Sequence, residues 1–115
     1  MVEGINKVAQ LNVSLRTYER EMVDYKEVVF YLIEVQAGNT EWYLKKRYSD
    51  FASLDKELRT KHTQMPSLPP WTYFPLTRDA DIEERRVQLA RYLGELMNRV
   101  DCRTSASFRK FIEVE

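Results

Sequence analysis

The sequence is poor in cysteine, in glycine and in long apolar runs. Among its 115 residues there are one cysteine (Cys102), three glycines and four prolines. A single cysteine excludes an internal disulfide framework and is typical of a reducing, cytosolic compartment. No apolar run approaches the ~20 residues that a membrane-spanning helix needs, and residues 1–7 lack the apolar stretch of a secretory signal. We therefore expect any contact with a membrane to be made at its surface.

The sequence also has no excess charge of either sign. Eighteen Lys and Arg balance eighteen Asp and Glu, so no broad positive field would draw the protein onto nucleic acid or anionic lipid. This balance argues against general nucleic-acid binding, for which a basic face or stripe is the expected footprint. Any anion must therefore be bound by a local pocket.

Catalytic and metal chemistry lack the residues they need. His62 and Cys102 are the only members of their types, so we predict neither a Cys/His nucleophile pair nor a zinc cluster, and no cofactor. The carboxylates at positions 79–84 have no nearby nucleophile or glycine-rich phosphate loop, and we interpret them as charges at the start of a helix. The sequence therefore predicts a protein that is not an enzyme and holds no metal.

The residues that are present have the composition of one globular domain. Hydrophobic residues make up 43% and charged residues 31% of the chain, and we predict a single domain over residues 1–115. Residues 11–15 alternate between apolar and polar, and residues 27–35 are mostly β-branched and aromatic. These two segments and residues 42–47 are predicted to be strands. Turn chemistry at 37–40 joins the last two strands. The polar link 19–24 joins the first two and holds Met22 and Val23 near its tip, which predicts an antiparallel meander.

From Ser49 onward the apolar spacing becomes that of a helix. Phe51, Leu54 and Leu58 fall at i, i+3 and i+7. Ser49 can cap this first helix, which is predicted to run to about His62.

A second helix is predicted to begin near Asp79 or Asp81, where residues 81–84 resemble a capping box. Its apolar stripe comprises Ile82, Leu89, Leu93, Leu96 and Val100. Residues 108–112 indicate a third, short helix that closes the core.

Between the first two helices, residues 63–78 contain all four prolines. Proline fixes φ and removes a donor, so this stretch is predicted to be an extended, polyproline-like crossover. A loop of this length is usually functional or disordered, and its aromatics argue against simple disorder. The predicted fold is α+β, with a three-stranded antiparallel β-meander packed on a helical subdomain and a proline-rich crossover between the first two helices.

Three segments follow the predicted strands in a recognisable order. They are Arg47-Tyr48-Ser49-Asp50-Phe51, Pro66-Ser67-Leu68-Pro69-Pro70, and Ile82-Glu83-Glu84-Arg85-Arg86 followed by Leu89 and Tyr92. With this order and spacing the chain resembles the PX (phox-homology) domain family, sorting-nexin-like members included, over nearly its whole length. The resemblance implies a phosphoinositide-binding, membrane-targeting domain for protein transport. By analogy the lipid would be phosphatidylinositol 3-phosphate, and the protein would lie in the cytoplasm, peripheral on endosomal membranes.

The resemblance also implies a head-group site. In the family the arginine that ends the third strand contacts the 3-phosphate, and Arg47 corresponds to it. The adjacent Tyr48 would stack against the inositol ring. The family's second-helix arginine reaches the ring hydroxyls and lies four residues before a leucine and seven before an aromatic. This spacing selects Arg85, with Arg86 as the neighbouring candidate.

The chain departs from the family pattern at Trp71. Members that bind phosphatidylinositol 3-phosphate well usually have a lysine just after the proline motif, where it contacts the 1-phosphate. Trp71 stands at that position here. Arg78, Lys45 or Lys46 could replace the lysine only if the loop folds back.

Each head-group candidate also has a purely structural interpretation. Arg47 belongs to the charge run 45–47 and could be solvated. Arg85 could pair with Asp81 at i, i+4. Tyr48 could be a half-buried core aromatic.

Candidates for membrane insertion share the crossover: Trp71, Tyr73, Phe74 and Leu76. Any one of them could pack on the helices, but four in a proline-rich loop are harder to bury, and Trp and Tyr favour the water–bilayer interface. Met22 and Val23 would form a second wedge. These residues predict shallow insertion beside the head-group site.

The crossover also contains a motif for protein recognition. Residues 66–69 fit the PxxP pattern bound by SH3 domains, although in a folded crossover this pattern is more often architecture. The alternative function is therefore a protein-interaction domain on a PX-like fold, with weak or lost lipid binding and an aromatic loop that contacts a partner chain. Trp71 is the residue that separates the two functions.

Overall fold

In a computed structural model that describes residues 10–114, a sheet is followed by helices. The sheet has the order β1-β2-β3, with β1 at Leu11–Val23, β2 at Lys26–Ala37 and β3 at Thr40–Lys46, and both pairings are antiparallel. The helices of the described residues are α1 (Tyr48–Arg59), α2 (Asp79–Met97), α3 (Val100–Arg103) and α4 (Ala106–Phe111). The predicted α+β fold is confirmed. Residues 1–9 and 115 of the predicted domain lie outside the described residues.

The first hairpin differs from the prediction, because the polar link 19–24 is mostly strand. β1 continues to Val23, and the connection is the two-residue turn Asp24–Tyr25, with φ of 50° and 67°. Positive φ at both central residues is the geometry of the type I′ turn that matches the twist of a hairpin. The polar residues do not form a loop, because Glu19 and Glu21 lie on a solvated face of the sheet, where both pair with Lys45 of β3.

The start of α1 also differs from the prediction. Arg47, and not Ser49, occupies the capping position, and the carboxylate of Asp50 accepts a hydrogen bond from the Arg47 backbone N–H at 2.8 Å. Asp50 thereby satisfies one of the donors that a helix N-terminus leaves free. The helix starts two residues earlier than a cap at Ser49 predicts and ends at Arg59.

The second helix begins at Asp79, so residues 81–84 are not its capping box. Asp81 lies in the first turn and forms an ion pair with Arg78 at 2.8 Å. Val100 is exposed and does not extend the stripe of α2, because the helix ends at Met97 and the unpredicted α3 begins at Val100.

One core joins the inner face of the sheet to the helices. Its largest fully buried side chains are Tyr31, Tyr92, Phe51, Phe108, Ile33, Leu58, Ile82, Leu89, Leu93, Leu96, Ile112 and Val35. The hydroxyl of Tyr92 donates to Asp55 at 2.7 Å and so links α2 to α1, and burial raises the pKa of Tyr92. The start of α1 and the first half of α2 both contact the crossover, through Tyr48 and Arg85.

Candidate functional site

A groove of about 810 Å³ lies between the first hairpin, the start of α1, the crossover and α2. Residues from all four segments line it, among them Lys26, Arg47, Tyr48, Trp71, Tyr73 and Arg85. The three residues that the sequence predicts for the head group, Arg47, Tyr48 and Arg85, therefore face one space although 38 residues separate the two arginines in the chain.

Arg85 lies flat against Tyr48. Its guanidinium carbon is 4.2 Å from the centre of the Tyr48 ring, a cation–π distance. The same guanidinium donates to the Pro70 carbonyl at 3.2 Å and approaches the Thr72 hydroxyl at 3.4 Å. Arg85 forms no ion pair with Asp81, so that structural interpretation is wrong, and among the described residues no carboxylate neutralises its charge.

Tyr48 lies between the core and Arg85, and its stacking on an inositol ring stays a prediction. Its ring is half-buried and packs on the core while one face meets Arg85, and its hydroxyl donates to the Pro69 carbonyl. Burial raises the pKa of Tyr48, and the charge of Arg85 partly opposes this shift. Tyr48 therefore fixes both the arginine and the proline-rich crossover.

Arg47 is exposed at the start of α1. Its backbone is held by Asp50, but its guanidinium forms no ion pair with a carboxylate among residues 10–114. The N-terminus of α1 also lines the groove, but the Asp50 carboxylate already accepts a hydrogen bond there, so the guanidinium groups supply the positive charge. The groove thus presents two guanidinium groups that no carboxylate of the described residues neutralises.

The aromatics of the crossover project into solvent. Trp71, Tyr73 and Phe74 are 69%, 79% and 75% exposed and stack edge to face, with ring centres 5.9 Å and 5.1 Å apart. Leu76 differs from the prediction, because it is half-buried against the core and so has little apolar surface to insert.

The tip of the first hairpin is a second exposed apolar group. Met22 is 67% exposed and Val23 is 40% exposed, as expected for residues beside a turn. Tyr25 in the turn is 98% exposed, and the sequence argument missed it because it placed the tip inside a longer loop. The hairpin continues into Lys26, which lines the groove.

A clamp of polar side chains ties the crossover to β1. Arg20 donates to Asp79 at 2.7 Å and to the Thr77 carbonyl at 2.6 Å, and the Tyr18 hydroxyl donates to Asp79 at 2.8 Å. These hydrogen bonds, from Tyr18 first and then from Arg20, hold the pKa of Asp79 below its usual value. No local sequence signal indicated this clamp, because its partners lie about 60 residues apart.

Comparison with known proteins places this geometry in a family. The profile of the PX domain family matches residues 34–115. This chain belongs to the PX domain family. PX domains are in general phosphoinositide-binding modules that act at membranes and are not enzymes. Within the described residues, no helix combines the length and the apolarity needed to cross a bilayer.

Solved structures agree with this assignment. An X-ray structure of a designed CISK-PX domain is 27% identical, with a TM-score of 0.82 over 90% of this chain and 99% of that one. Two crystal structures of the mouse SNX19 PX domain also match. The one with a bound sulphate ion is 16% identical with a TM-score of 0.65, and the other is 17% identical with a TM-score of 0.64. Each match covers 91% of this chain and 97% of the SNX19 chain, and shows that the two chains share a fold.

Two further arginines that the sequence proposed for the head group are engaged elsewhere in this PX domain. Arg86 donates to the Leu15 carbonyl at 2.8 Å and pairs with Glu83 at 2.6 Å. The pairing of β1 with β2 shifts register just after Leu15, so Arg86 fastens α2 to β1 at this irregularity. Arg78 pairs with Asp81 outside the groove lining.

The lysines proposed as substitutes for the missing family lysine do not line the groove. Lys45 pairs with Glu19 and Glu21 on the outer face of the sheet. The Lys46 ammonium lies 4.8 Å from the centre of the Phe111 ring. Lys26 does line the groove, and no carboxylate of the described residues pairs with it.

The PxxP motif is built into the fold. Pro69 is buried and its carbonyl accepts the Tyr48 hydroxyl, while the Pro66 carbonyl accepts a hydrogen bond from Arg59 at 2.8 Å. An SH3 ligand needs an accessible polyproline ridge. The architectural interpretation of the motif is therefore favoured.

His62 and Cys102 lie closer together than the sequence argument allowed. Their ligand atoms and a carboxylate oxygen of Asp101 all fall within 4.8 Å of one another. Cys102 is fully buried and burial raises the pKa of its thiol, which opposes the thiolate that catalysis or metal binding requires. Asp101 is also paired with Arg99 at 2.6 Å, so we place neither a metal nor a nucleophile there.

A second hollow, of about 420 Å³, crosses the outer face of the sheet. Its one lining cation, Arg16, pairs with Glu34 at 3.5 Å, and Glu41 adds a further negative charge. An anion is therefore disfavoured there, in contrast to the groove beside Arg47.

Proposed function

We propose that this PX domain binds the head group of phosphatidylinositol 3-phosphate in the groove and thereby docks on endosomal membranes in protein transport. The observation that carries the proposal is that Arg47 and Arg85 line one groove and neither is neutralised by a carboxylate of the described residues. Two uncompensated cations in one groove repel each other, and a multiply charged anion relieves that repulsion.

The chemistry of the groove favours a phosphate monoester. Such a group carries a charge of roughly −1.5 to −2 at neutral pH. The planar guanidinium of Arg47 can hold two phosphate oxygens by parallel hydrogen bonds, whereas a lysine offers only a point charge. Arg85, held against Tyr48, then lies within the same groove for the hydroxyls of the inositol ring.

Apolar groups on both rims supply the second signal that stable docking requires. A single weak anchor rarely holds a protein on a bilayer, and the zero formal net charge leaves no general attraction to anionic lipid. Trp71, Tyr73 and Phe74 on one rim and Met22 and Val23 on the other are exposed beside the groove. Each inserted aromatic would contribute on the order of 1–2 kcal/mol.

Co-sedimentation with liposomes tests the function directly. The liposomes carry one phosphoinositide at a time, at constant total negative charge. We expect the protein to pellet with phosphatidylinositol 3-phosphate and to remain in the supernatant with unphosphorylated phosphatidylinositol. Equal pelleting with all the lipids would reject a specific head-group site.

The exposed aromatic cluster also supports a second candidate, a protein-interaction domain. Three exposed aromatics in mutual contact form an apolar surface of the kind that serves protein interfaces. In that case lipid binding would be weak, and Trp71 would contact a partner chain.

Substitutions of Trp71 distinguish the two candidates. Trp71→Lys is expected to tighten binding of the soluble head group by about ten-fold or more, because a new charged hydrogen bond contributes ~1.5–3 kcal/mol. Trp71→Ala is expected to weaken binding to intact liposomes more than to the head group, because it removes apolar surface and no charge. Tyr43→Ala is the matched control, since Tyr43 is equally exposed but lies on the outer face of the sheet.

The same substitutions also define the result that would favour the interaction function. If neither substitution alters lipid binding but Trp71→Ala disrupts a complex recovered from cell extract, the interaction function is correct. Insertion itself is followed by indole fluorescence in a Trp42→Phe background, because Trp42 also emits. If the emission wavelength of Trp71 does not shift when liposomes are added, Trp71 does not insert. Binding of the head group by the arginines would then still be tested by sedimentation.

A further inference from the structure

Lys26 is a third cation that lines the groove. It is the first residue of β2, directly after the Asp24–Tyr25 turn, and its partner across the hairpin is Val23. The neighbouring acid, Glu27, also lines the groove but is engaged by Arg20, whose Nε donates to it at 2.6 Å. Lys26 itself pairs with no carboxylate of the described residues, so its charge is available.

Lys26 lies next to the exposed apolar residues at the tip of the first hairpin. Val23 and Tyr25, its neighbours at the hairpin tip, are exposed, and Trp71 and Tyr73 line the groove from the crossover. These are the apolar groups that would meet the bilayer. Arg47 and Arg85, in contrast, arise from the start of α1 and from α2, where Tyr48 joins them to the core. Among the cations that line the groove, Lys26 is therefore the one that directly follows the exposed tip of the first hairpin.

A phosphoinositide head group carries its negative charge on two phosphates. One phosphate is a monoester on the inositol ring. The other is the phosphodiester that joins the ring to glycerol, and it must lie on the side of the bilayer. We propose that Lys26 binds this phosphodiester while the arginines bind the ring, which extends the proposed function to a second phosphate of the same lipid.

The side chains suit these two partners. The diester has a single negative charge, and lysine is a mobile point charge on a four-carbon stem that can follow a group near the bilayer surface. The monoester suits the planar fork of arginine. The other cations considered for this phosphate are engaged, Lys45 with Glu19 and Glu21 and Arg78 with Asp81.

Two soluble ligands isolate the diester. Glycerophosphoinositol 3-phosphate retains it, and inositol 3-phosphate lacks it. By titration calorimetry we expect the wild-type protein to bind the first about ten-fold more tightly, the effect of one charged hydrogen bond at an exposed site. Lys26→Gln should bring the two affinities together, mainly by weakening the first ligand, and Lys26→Arg should restore the difference.

Lys56→Gln is the matched control, because Lys56 is exposed on α1 outside the groove lining. This variant should keep the ten-fold difference. If Lys26→Gln also keeps the difference, or weakens both ligands equally, Lys26 does not bind the diester, while the proposed function stands. If the wild-type protein binds neither ligand, the proposed function and the inference both fail. Melting temperatures of all three variants exclude unfolding as the cause of any loss.

Discussion

Replacing Arg47 with alanine is expected to abolish phosphoinositide-dependent sedimentation and to leave the melting temperature nearly unchanged. The guanidinium of Arg47 is exposed and forms no ion pair within residues 10–114, and the contact that caps α1 uses only its backbone. Folding therefore gains little from the side chain. A bidentate contact with phosphate contributes at least ~1.5–3 kcal/mol per charged hydrogen bond, so two such bonds correspond to a loss of more than a hundred-fold in affinity.

The control for this experiment is Arg91→Ala. Arg91 is an exposed arginine of α2 that does not line the groove, so its loss removes the same formal charge without touching the site. We expect Arg91→Ala to sediment like the wild type. A well-folded Arg47→Ala protein that still pellets with phosphatidylinositol 3-phosphate would mean that another cation holds the 3-phosphate.

Arg85 and Arg86 are adjacent in sequence but are expected to give opposite phenotypes. Arg85→Ala should reduce head-group affinity by about ten- to a hundred-fold, because it removes one of the two unneutralised guanidinium groups of the groove. Arg86→Ala should leave affinity nearly unchanged and reduce the free energy of unfolding by about 1–3 kcal/mol. The reason is that the part-buried Leu15 carbonyl would lose its donor.

Both quantities are measured on each variant, affinity by calorimetry with the soluble head group and stability by urea unfolding. Glu83→Gln provides a further comparison for Arg86, since it weakens the ion pair but keeps the bond to Leu15. If Arg86→Ala lost affinity and Arg85→Ala lost only stability, the head-group ligand would be one residue later than we propose.

The fold could be predicted because its elements follow local patterns. The β-branched run of β2 and the i, i+3, i+7 spacing of Phe51, Leu54 and Leu58 specify strand and helix through the periods of 2 and 3.6 residues. One error occurred where polarity was taken to indicate a loop. Glu19 and Glu21 belong to a strand, because one face of the sheet is solvated and Lys45 of β3 pairs with both of them.

By itself, the sequence determined the order of strands and helices and the proline-rich crossover, and through its resemblance to a family it offered the candidates Arg47, Tyr48 and Arg85. Only the tertiary structure decided which cations remain unpaired. Arg86 reaches a carbonyl 71 positions away, Arg20 reaches a carboxylate 59 positions away, and Lys26 enters the groove through a two-residue turn. The charge that a side chain offers to a ligand depends on the carboxylates and carbonyls around it. Those neighbours come from distant parts of the chain, and so only folding determines them.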